Sequence, residues 1–573
     1  MSILSSIQMA GNSLQAMQIG LQVVGNNIAN ANTPGFVRER AIYTTAPVQQ
    51  IGNLAIGLGV EVDGIVQILD KSLESRLRDA GGDRASAEVQ EKAYQDIQSI
   101  LGELTEFDIS TAITDFINSI DDVAKSPEDI DIRNLAIGNG VRLAERINNL
   151  SRRVGNVHRD FSARVEDVAD EMNTLTEQIR VLNLKIVTAE GGGGITSDAG
   201  GLRSQRSEAL KKLSQIADIT VNERETGSVN VSLNGDLLVF EGTRREVEAL
   251  NTSFEGLQST NIHFKENGSP LSVGGGELQG LYEARDTIAG GFIDELDTFA
   301  STLAFEFNKI YSVGQGIEGF NEITSTARVS DANAVLNNAG LDFSPENGSF
   351  SILVYNATAD TTKTHNISID LNGLDDNDTT LNSLASTLDA LDGIAAEVSV
   401  DNQLIIRSES NDIQFTFGQE EGAKDSHVLA ALGINTFFTG ASADSLGVNE
   451  ALTENRQAGA KFAASLNGLG EGTENALKLV GFYDDSIDGI GGQSISGAYD
   501  QLVNQTTQGA AISTAVADGL RVFEGTLNAS AQAVSGVNLD EEAIEMIQLQ
   551  RIYQASARYI TTLSEMLDIL VNL

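Results

Sequence analysis

The chain contains no cysteine, so disulfides and thiolate metal sites are excluded. It has no tryptophan, which disfavours an aromatic cage for carbohydrate or quaternary ammonium. Cations are scarce: 37 Lys and Arg stand against 81 Asp and Glu, a formal charge of -44. That balance argues against nucleic acid, whose phosphates attract Lys/Arg patches, and against anionic membrane surfaces. It suits solubility, in a saline medium for example, better than capture of a specific ligand. No apolar run approaches the roughly 18 residues of a membrane helix. The first cation is Arg38, so the basic start of a cleaved secretory signal is missing. A soluble protein is expected, cytosolic or exported without a cleaved signal, with no nucleic-acid and no membrane partner.

Signatures of catalysis are missing too. There is no GxxxxGK(S/T) phosphate loop and no GxSxG nucleophile elbow. The four histidines, His158, His263, His365 and His427, are scattered without ligand spacing. His158-Arg159-Asp160 falls inside a long heptad helix, where a solvated face is expected. Asp370, Asn372, Asp375, Asp376 and Asp378 resemble a calcium loop, but Leu374 breaks the pattern and a polar turn is expected. No catalytic, cofactor or metal residue is assigned, and no enzyme is expected.

What the chain does have is regular apolar spacing at both ends. Ile3, Ile7, Ala10, Leu14, Met17, Leu21, Val24 and Ile28 follow one another in steps of 4, 3, 4, 3, 4, 3, 4. Met546, Leu549, Tyr553, Ser556, Ile560, Leu563, Leu567 and Leu570 follow in steps of 3, 4, 3, 4, 3, 4, 3. Each is a narrow coiled-coil seam that needs a second helix to cover it. The first helix stops at Asn30, Asn32, Thr33, Pro34, Gly35 and Phe36, because Pro34 forces Thr33 out of helical geometry and Gly35 suits positive φ. Asn538 is a plausible cap for the last helix, with Asp540, Glu541 and Glu542 in its first turn.

Between the ends, residues 41–68 read as short strands, and 71–104 and 109–124 as helices. A long heptad run from Leu143 to Ile186 predicts a helix on the order of 65 Å, ended by Gly191 to Gly194. A helix over 202–216, with Leu202, Arg206, Leu210, Leu213 and Ile216 as its stripe, would pair with it antiparallel. Residues 219–273 read as hairpins, with turns at Gly227-Ser228 and Asn234-Gly235. Helix resumes near Leu281, along Ile288, Phe292, Leu296, Phe299, Leu303, Phe307 and Ile310. Another stripe, Tyr499, Leu502, Ile512, Val516, Leu520, Phe523, Leu527 and Val534, follows Ile495. Between these, alternating segments with one helix over 381–391 read as an inserted β module. The length itself suggests about three or four domains.

The predicted fold is therefore α+β and multidomain. Residues 1–68 plus 535–573 form a terminal core of paired coiled-coil helices. Residues 69–329 plus 445–534 form an elongated helical-bundle domain with β hairpins at about 219–275. Residues 330–444 form an inserted, mainly-β outer domain. Closing so long a loop costs little more than closing a short one.

The segment NNIANANTPGFVRER, residues 26–40, resembles the signature shared by the rod, hook and hook-associated proteins of the bacterial flagellum. NLDEEAIEMIQLQRIYQASARYITTLSEMLDILVNL, residues 538–573, is similar to that family's other terminal signature. FIDELDTFASTLAFEFNKIYSVGQGIEGF (292–320) and VLAALGINTFFTGASADSLGVNE (428–450) resemble its hook–filament junction branch. The loop Gly314-Gln315-Gly316-Ile317-Glu318-Gly319 departs from the Asn-rich stretch usual there. The resemblance implies a structural axial protein exported through the flagellar type III apparatus to the outside of the cell. It implies a helical ring of about eleven copies between hook protein and a second junction protein or flagellin filament. It also implies a cytoplasmic export chaperone on the C-terminal helix. Neighbouring copies would complete the burial of both seams, which are expected to be only partly ordered before that. Another flagellar axial protein, of hook, rod or filament type, and a secreted coiled-coil adhesin are the alternatives.

Overall fold

The computed structural model describes residues 3–51, 54–102, 108–191, 198–254, 257–374 and 377–572. Helices appear where the apolar spacing is helical and stop where capping chemistry allows. In chain order they are α1 (Ile3–Asn30), α2 (Lys71–Gly102), α3 (Ile109–Lys125), α4 (Ile130–Glu190), α5 (Gly200–Ile216) and α6 (Gly276–Tyr282), then α7 (Gly291–Tyr311), α8 (Leu381–Asp389), α9 (Val428–Leu432), α10 (Glu474–Gly481), α11 (Ile495–Ser535) and α12 (Leu539–Val571). Asp70 caps α2 by accepting from Ser72 N at 3.0 Å and Leu73 N at 3.1 Å. Asp108 caps α3 through Thr111 N at 2.6 Å, and Asn538 caps α12 through Asp540 N at 3.0 Å.

The long heptad run is α4, which begins at Ile130, well ahead of the expected start. Of its predicted stripe only Val157 is not buried. His158 takes that place, 2 % exposed, so the expected solvated face holds for Arg159 and Asp160 but not for the histidine. The reason is the helical period: Val154, His158 and Phe161 stay on the inner side where Val157 drifts off it. Of the four glycines expected to end this helix, Gly191 follows it as a bend, and Gly192, Gly193 and Gly194 lie outside the described residues. The helix expected from Leu281 is interrupted: a π-helical segment, Glu283–Gly290, separates α6 from α7.

The chain divides into two units. The first comprises Met1–Ala93, Arg159–Arg285 and Ala511–Leu573. In it the strand Glu39–Thr45 pairs antiparallel with Val60–Gln67, and Val48–Ile51 with Leu54–Gly57. Strands Ile219–Glu223, Val229–Leu233, Asp236–Phe240 and Thr243–Arg244 form a four-stranded sheet in that order, and Val247–Phe254 pairs with Leu257–Phe264. Asn234 and Gly235 have φ 47 and 94, the two left-handed positions that the Asn-Gly turn requires. Two asparagines of α4 hold these strands by their backbone. Asn183 donates to Val229 O at 2.8 Å and accepts from Val229 N at 3.1 Å; Asn173 does the same for Val247 at 2.8 and 3.0 Å. Arg206, placed by its spacing on the inner stripe of α5, is buried there and donates to Asn183 Oδ1 at 3.0 Å and Gly227 O at 2.6 Å.

The second unit comprises Tyr94–His158 and Asp286–Ala510. Its helical part is centred on an aromatic cluster in which Phe116, Phe307, Phe437 and Phe438 lie with ring centroids 4.8 to 5.6 Å apart. Asn308 ties that cluster's backbone, accepting from Phe437 N and Phe438 N at 3.0 Å and donating to Phe438 O at 2.8 Å. The β module carries two three-stranded sheets, one with Gly348–Asn356 between Thr361–Ile369 and Ile413–Gly418, the other with Leu404–Ser408 between Glu322–Thr324 and Ile394–Val398. Its core includes Phe350, Ile352, Leu388, Leu404, Phe415 and Phe417. The atypical loop is anchored by buried Gln315, which donates to Val313 O at 2.9 Å and Phe417 O at 2.6 Å. The calcium-like segment is a hydrogen-bonded turn: Asp370 accepts from Asn372 N, Asn372 from Leu374 N and Asp378 from Gly373 N. Asp375 and Asp376 lie outside the described residues.

Candidate assembly surface

Residues 1–37 contain no charged side chain. In α1, Ala10, Met17 and Val24 of the predicted seam are buried, and Ile3, Ile7, Leu14, Leu21 and Ile28 are half-buried. Met17 and Val24 pack in one cluster with Leu549 of α12, flanked by Leu21, Ile28 and Met546. The two chain ends thus lie against each other. A second stripe, which the apolar spacing did not reveal, runs beside the first: Ala16, Gly20, Val23 and Asn27, all buried. Gly20 is required by close approach, since a Cβ there would run into the Tyr43 hydroxyl and reach Leu549 at 3.1 Å. Burial pushes the Tyr43 phenol above its ordinary value, with the Glu545 carboxylate adding to the effect.

Asn27 and Arg38 join the ends by a polar lock. Asn27 donates to Glu39 O at 2.9 Å and to Glu542 Oε2 at 3.1 Å, and accepts from Glu39 N at 3.0 Å. Arg38 Nε lies 2.6 Å from Glu542 Oε1, a charge contact rather than an aligned hydrogen bond. Arg38 also donates to Glu541 at 3.0 Å, and its backbone N–H to Ser535 O at 2.9 Å. The Glu542 side chain is only 1 % exposed. These residues were not legible as a site, although a lone Asn inside an apolar stripe is a known register device.

Of the predicted seam on α12, Leu549 and Leu563 are buried, and Met546, Ser556, Ile560 and Leu567 half-buried. Tyr553 is 38 % and Leu570 66 % exposed, so α1 leaves these two uncovered. A second line on the same helix, Ile552, Tyr559, Met566 and Ile569, is 43 to 62 % exposed. Its spacing of 7, 7 and 3 marks another heptad seam. Arg551 and Arg558, also exposed, sit one heptad apart on this outer side.

The turn after α1 reverses through Thr33 N to Asn30 O at 2.9 Å and Phe36 N to Thr33 O at 3.2 Å, with Gly35 at φ 73. Asn32, Thr33, Pro34 and Gly35 are exposed, while Asn30 and Phe36 are half-buried. A cavity of about 640 Å³ lies beside it, lined by Pro34, Phe36, Val181, Leu182, Lys185 and Ser204. Among the described residues no group of three acids or histidines is placed to hold a metal ion, and no helix is long and apolar enough to cross a membrane.

Residues 94–323 match the flagellar hook-associated protein FlgK helical domain. Residues 529–573 match the C-terminal region of flagellar basal body rod FlgEFG proteins, and 7–36 the flagella basal body rod protein family. The class is thus an axial structural component of the bacterial flagellum. Full-length relatives narrow it. Flagellar hook-associated protein 1 of Bacillus subtilis is 22 % identical, covering 100 % of this chain and 98 % of its own; that of Escherichia coli is 24 % identical, covering 99 % and 100 %. The chain is thus similar over its full length to flagellar hook-associated protein 1 of both organisms. A solved structure, the flagellar hook junction protein FlgK from Burkholderia pseudomallei, is 15 % identical with a TM-score of 0.49, covering 80 % of this chain and 100 % of that one.

Proposed function

We propose that the paired terminal helices are the core through which copies of this chain assemble into the hook–filament junction. The observation that carries this is the two-sidedness of α12. One seam lies on α1; the other, Ile552, Tyr559, Met566 and Ile569, repeats by heptads and is left 43 to 62 % exposed in the single chain. Burying an apolar side chain fully is worth roughly 1.5–3 kcal/mol, so a heptad line of four repays the ordering of a neighbouring helix. The register of each pair is set by Arg38, Asn27 and Glu542 before copies meet.

In this reading copies form a helical ring of about eleven, with hook protein on one side and a second junction protein or the flagellin filament on the other. The chain reaches the cell exterior through the flagellar type III apparatus without a cleaved signal, and a cytoplasmic chaperone covers α12 beforehand. Residues 1–68 plus 535–573 act as the core, 69–329 plus 445–534 as the helical domain, and 330–444 as an outer β domain. The work is structural, without catalysis.

The test is Ile552→Glu combined with Met566→Glu, both on exposed positions. The purified chain should melt as before, while cells carrying the variant as sole copy should shed filaments and fail to swim. Normal filament attachment would overturn the reading.

A further inference from the structure

The outward side of α11 carries the same kind of unfilled seam. Its sequence spacing reads as a packing stripe, yet in the structure Ile512, Val516, Phe523 and Val534 are 45 to 56 % exposed. Gly519 and Ser530 fall on the same line, giving steps of 4, 3, 4, 7 and 4 from Ile512 to Val534. The helix instead buries the neighbouring side: Leu527 and Ala531 pack on Leu77 and Ala80 of α2, and Ala517 is fully covered. Apolar periodicity that the chain does not itself cover is the mark of a docking face rather than of a core.

Resting on the assembly reading above, we infer that this stripe is a second self-association seam, covered by another copy of this chain. Charge chooses the occupant. Residues 511–535 hold only three charges, Asp518, Arg521 and Glu524. All are engaged: Arg521 with Glu88 at 2.8 Å, Glu91 at 2.5 Å and Asp518 at 2.7 Å, and Glu524 with Arg84 at 2.5 Å. Two copies that each carry -44 repel across almost any other pair of faces. A neutral apolar stripe is where like-charged chains approach at least cost, whereas a basic partner would select the acidic surfaces. The stripe also continues toward α12 with only Gly536, Val537 and Asn538 between the helices. Gly519 and Ser530 leave room for close approach of a second helix.

The experiment places p-benzoylphenylalanine at Val516 of the full-length chain, expressed as sole copy in flagellated cells, with a second strain carrying the probe at Ile552. Irradiated hook–filament junctions should yield copy-to-copy cross-links from both positions. Cross-links between copies at Ile552 but none at Val516, or links from Val516 to a different protein alone, would overturn the second seam and leave the assembly reading standing. Absence at both positions would overturn both. As an independent measurement, Val516→Glu with Phe523→Glu should leave the melting of the purified chain unchanged and lower copy-to-copy cross-linking at Ile552 by at least about tenfold. An unchanged yield would also sink the second seam.

Discussion

In the second unit Phe116, Phe307, Phe437 and Phe438 are at most 1 % exposed, each ring seated against the others. In the first unit α12, comparably rich in apolar side chains, has just Glu542, Leu549 and Leu563 buried among its described residues. Both regions are built from apolar side chains. One closes its own core inside a single chain; the other is half of a core. A buried residue in the aromatic cluster stabilises the fold, and an exposed one on α12 stabilises contact with a neighbour.

That contrast can be broken by substitution. Phe437→Ala should cost about 3–5 kcal/mol, since it removes a ring from a close-packed cluster that cannot collapse around the gap. Amide exchange along α7 in the isolated chain would report it. Ile569→Ala, at a position 62 % exposed, should change stability by less than about 0.5 kcal/mol. Similar losses at the two positions would erase the distinction. Within the terminal pair, Arg38→Ala should cost about 3 kcal/mol, because it strands the buried Glu542 carboxylate. Adding Glu542→Gln should recover part of that loss, seen as restored protection of α1 in exchange measurements; a further loss would count against the lock.

Acid should act more gently, within the first unit. Glu190 and Glu223 are partly buried, which raises their pKa, but hydrogen bonds from Arg203 to both, and from Lys71 to Glu223, outweigh this and hold them below 4.5. Depressed carboxylates contribute stability that is complete above the ordinary value and disappears as pH falls through the lowered one. The strands around Glu223 should therefore loosen on acidification below 4.5, and Arg203→Gln should flatten that dependence. A pH-independent melting point in the parent chain would contradict this. A small effect is expected at Asp79 and Asp83, whose pKa values are raised first by burial and then by the Asp218 carboxylate. Asp218→Asn relieves that repulsion and should raise the melting temperature slightly, by under about 1 kcal/mol of stability; a fall would show that Asp218 holds something else in place.

Spacing in the sequence was a good guide wherever one helix meets one continuous partner surface. Nearly the whole stripe of α4 is buried as its heptads indicated, and the Asn234-Gly235 turn and the Asn538 cap formed where their chemistry placed them. It failed at the polar residues of mixed faces. Asn173 and Asn183 bond to strand backbone that only the folded chain brings near, and His158 is buried by a drift of less than one residue in the helical period.

Period, charge and capping chemistry by themselves determined that this chain is helical at both ends, acidic between them, uncharged over its first 37 residues, and marked by the terminal signatures of a flagellar axial protein. They could not say which side of a stripe would be covered. Periodicity states that a face is apolar, and whether it is filled depends on what the rest of the chain can bring to it. Only the tertiary structure decided that α1 covers one seam of α12 and not the other, that α11 packs on its alanine side, and that Arg38 and Glu542, 504 positions apart in sequence, close the terminal pair.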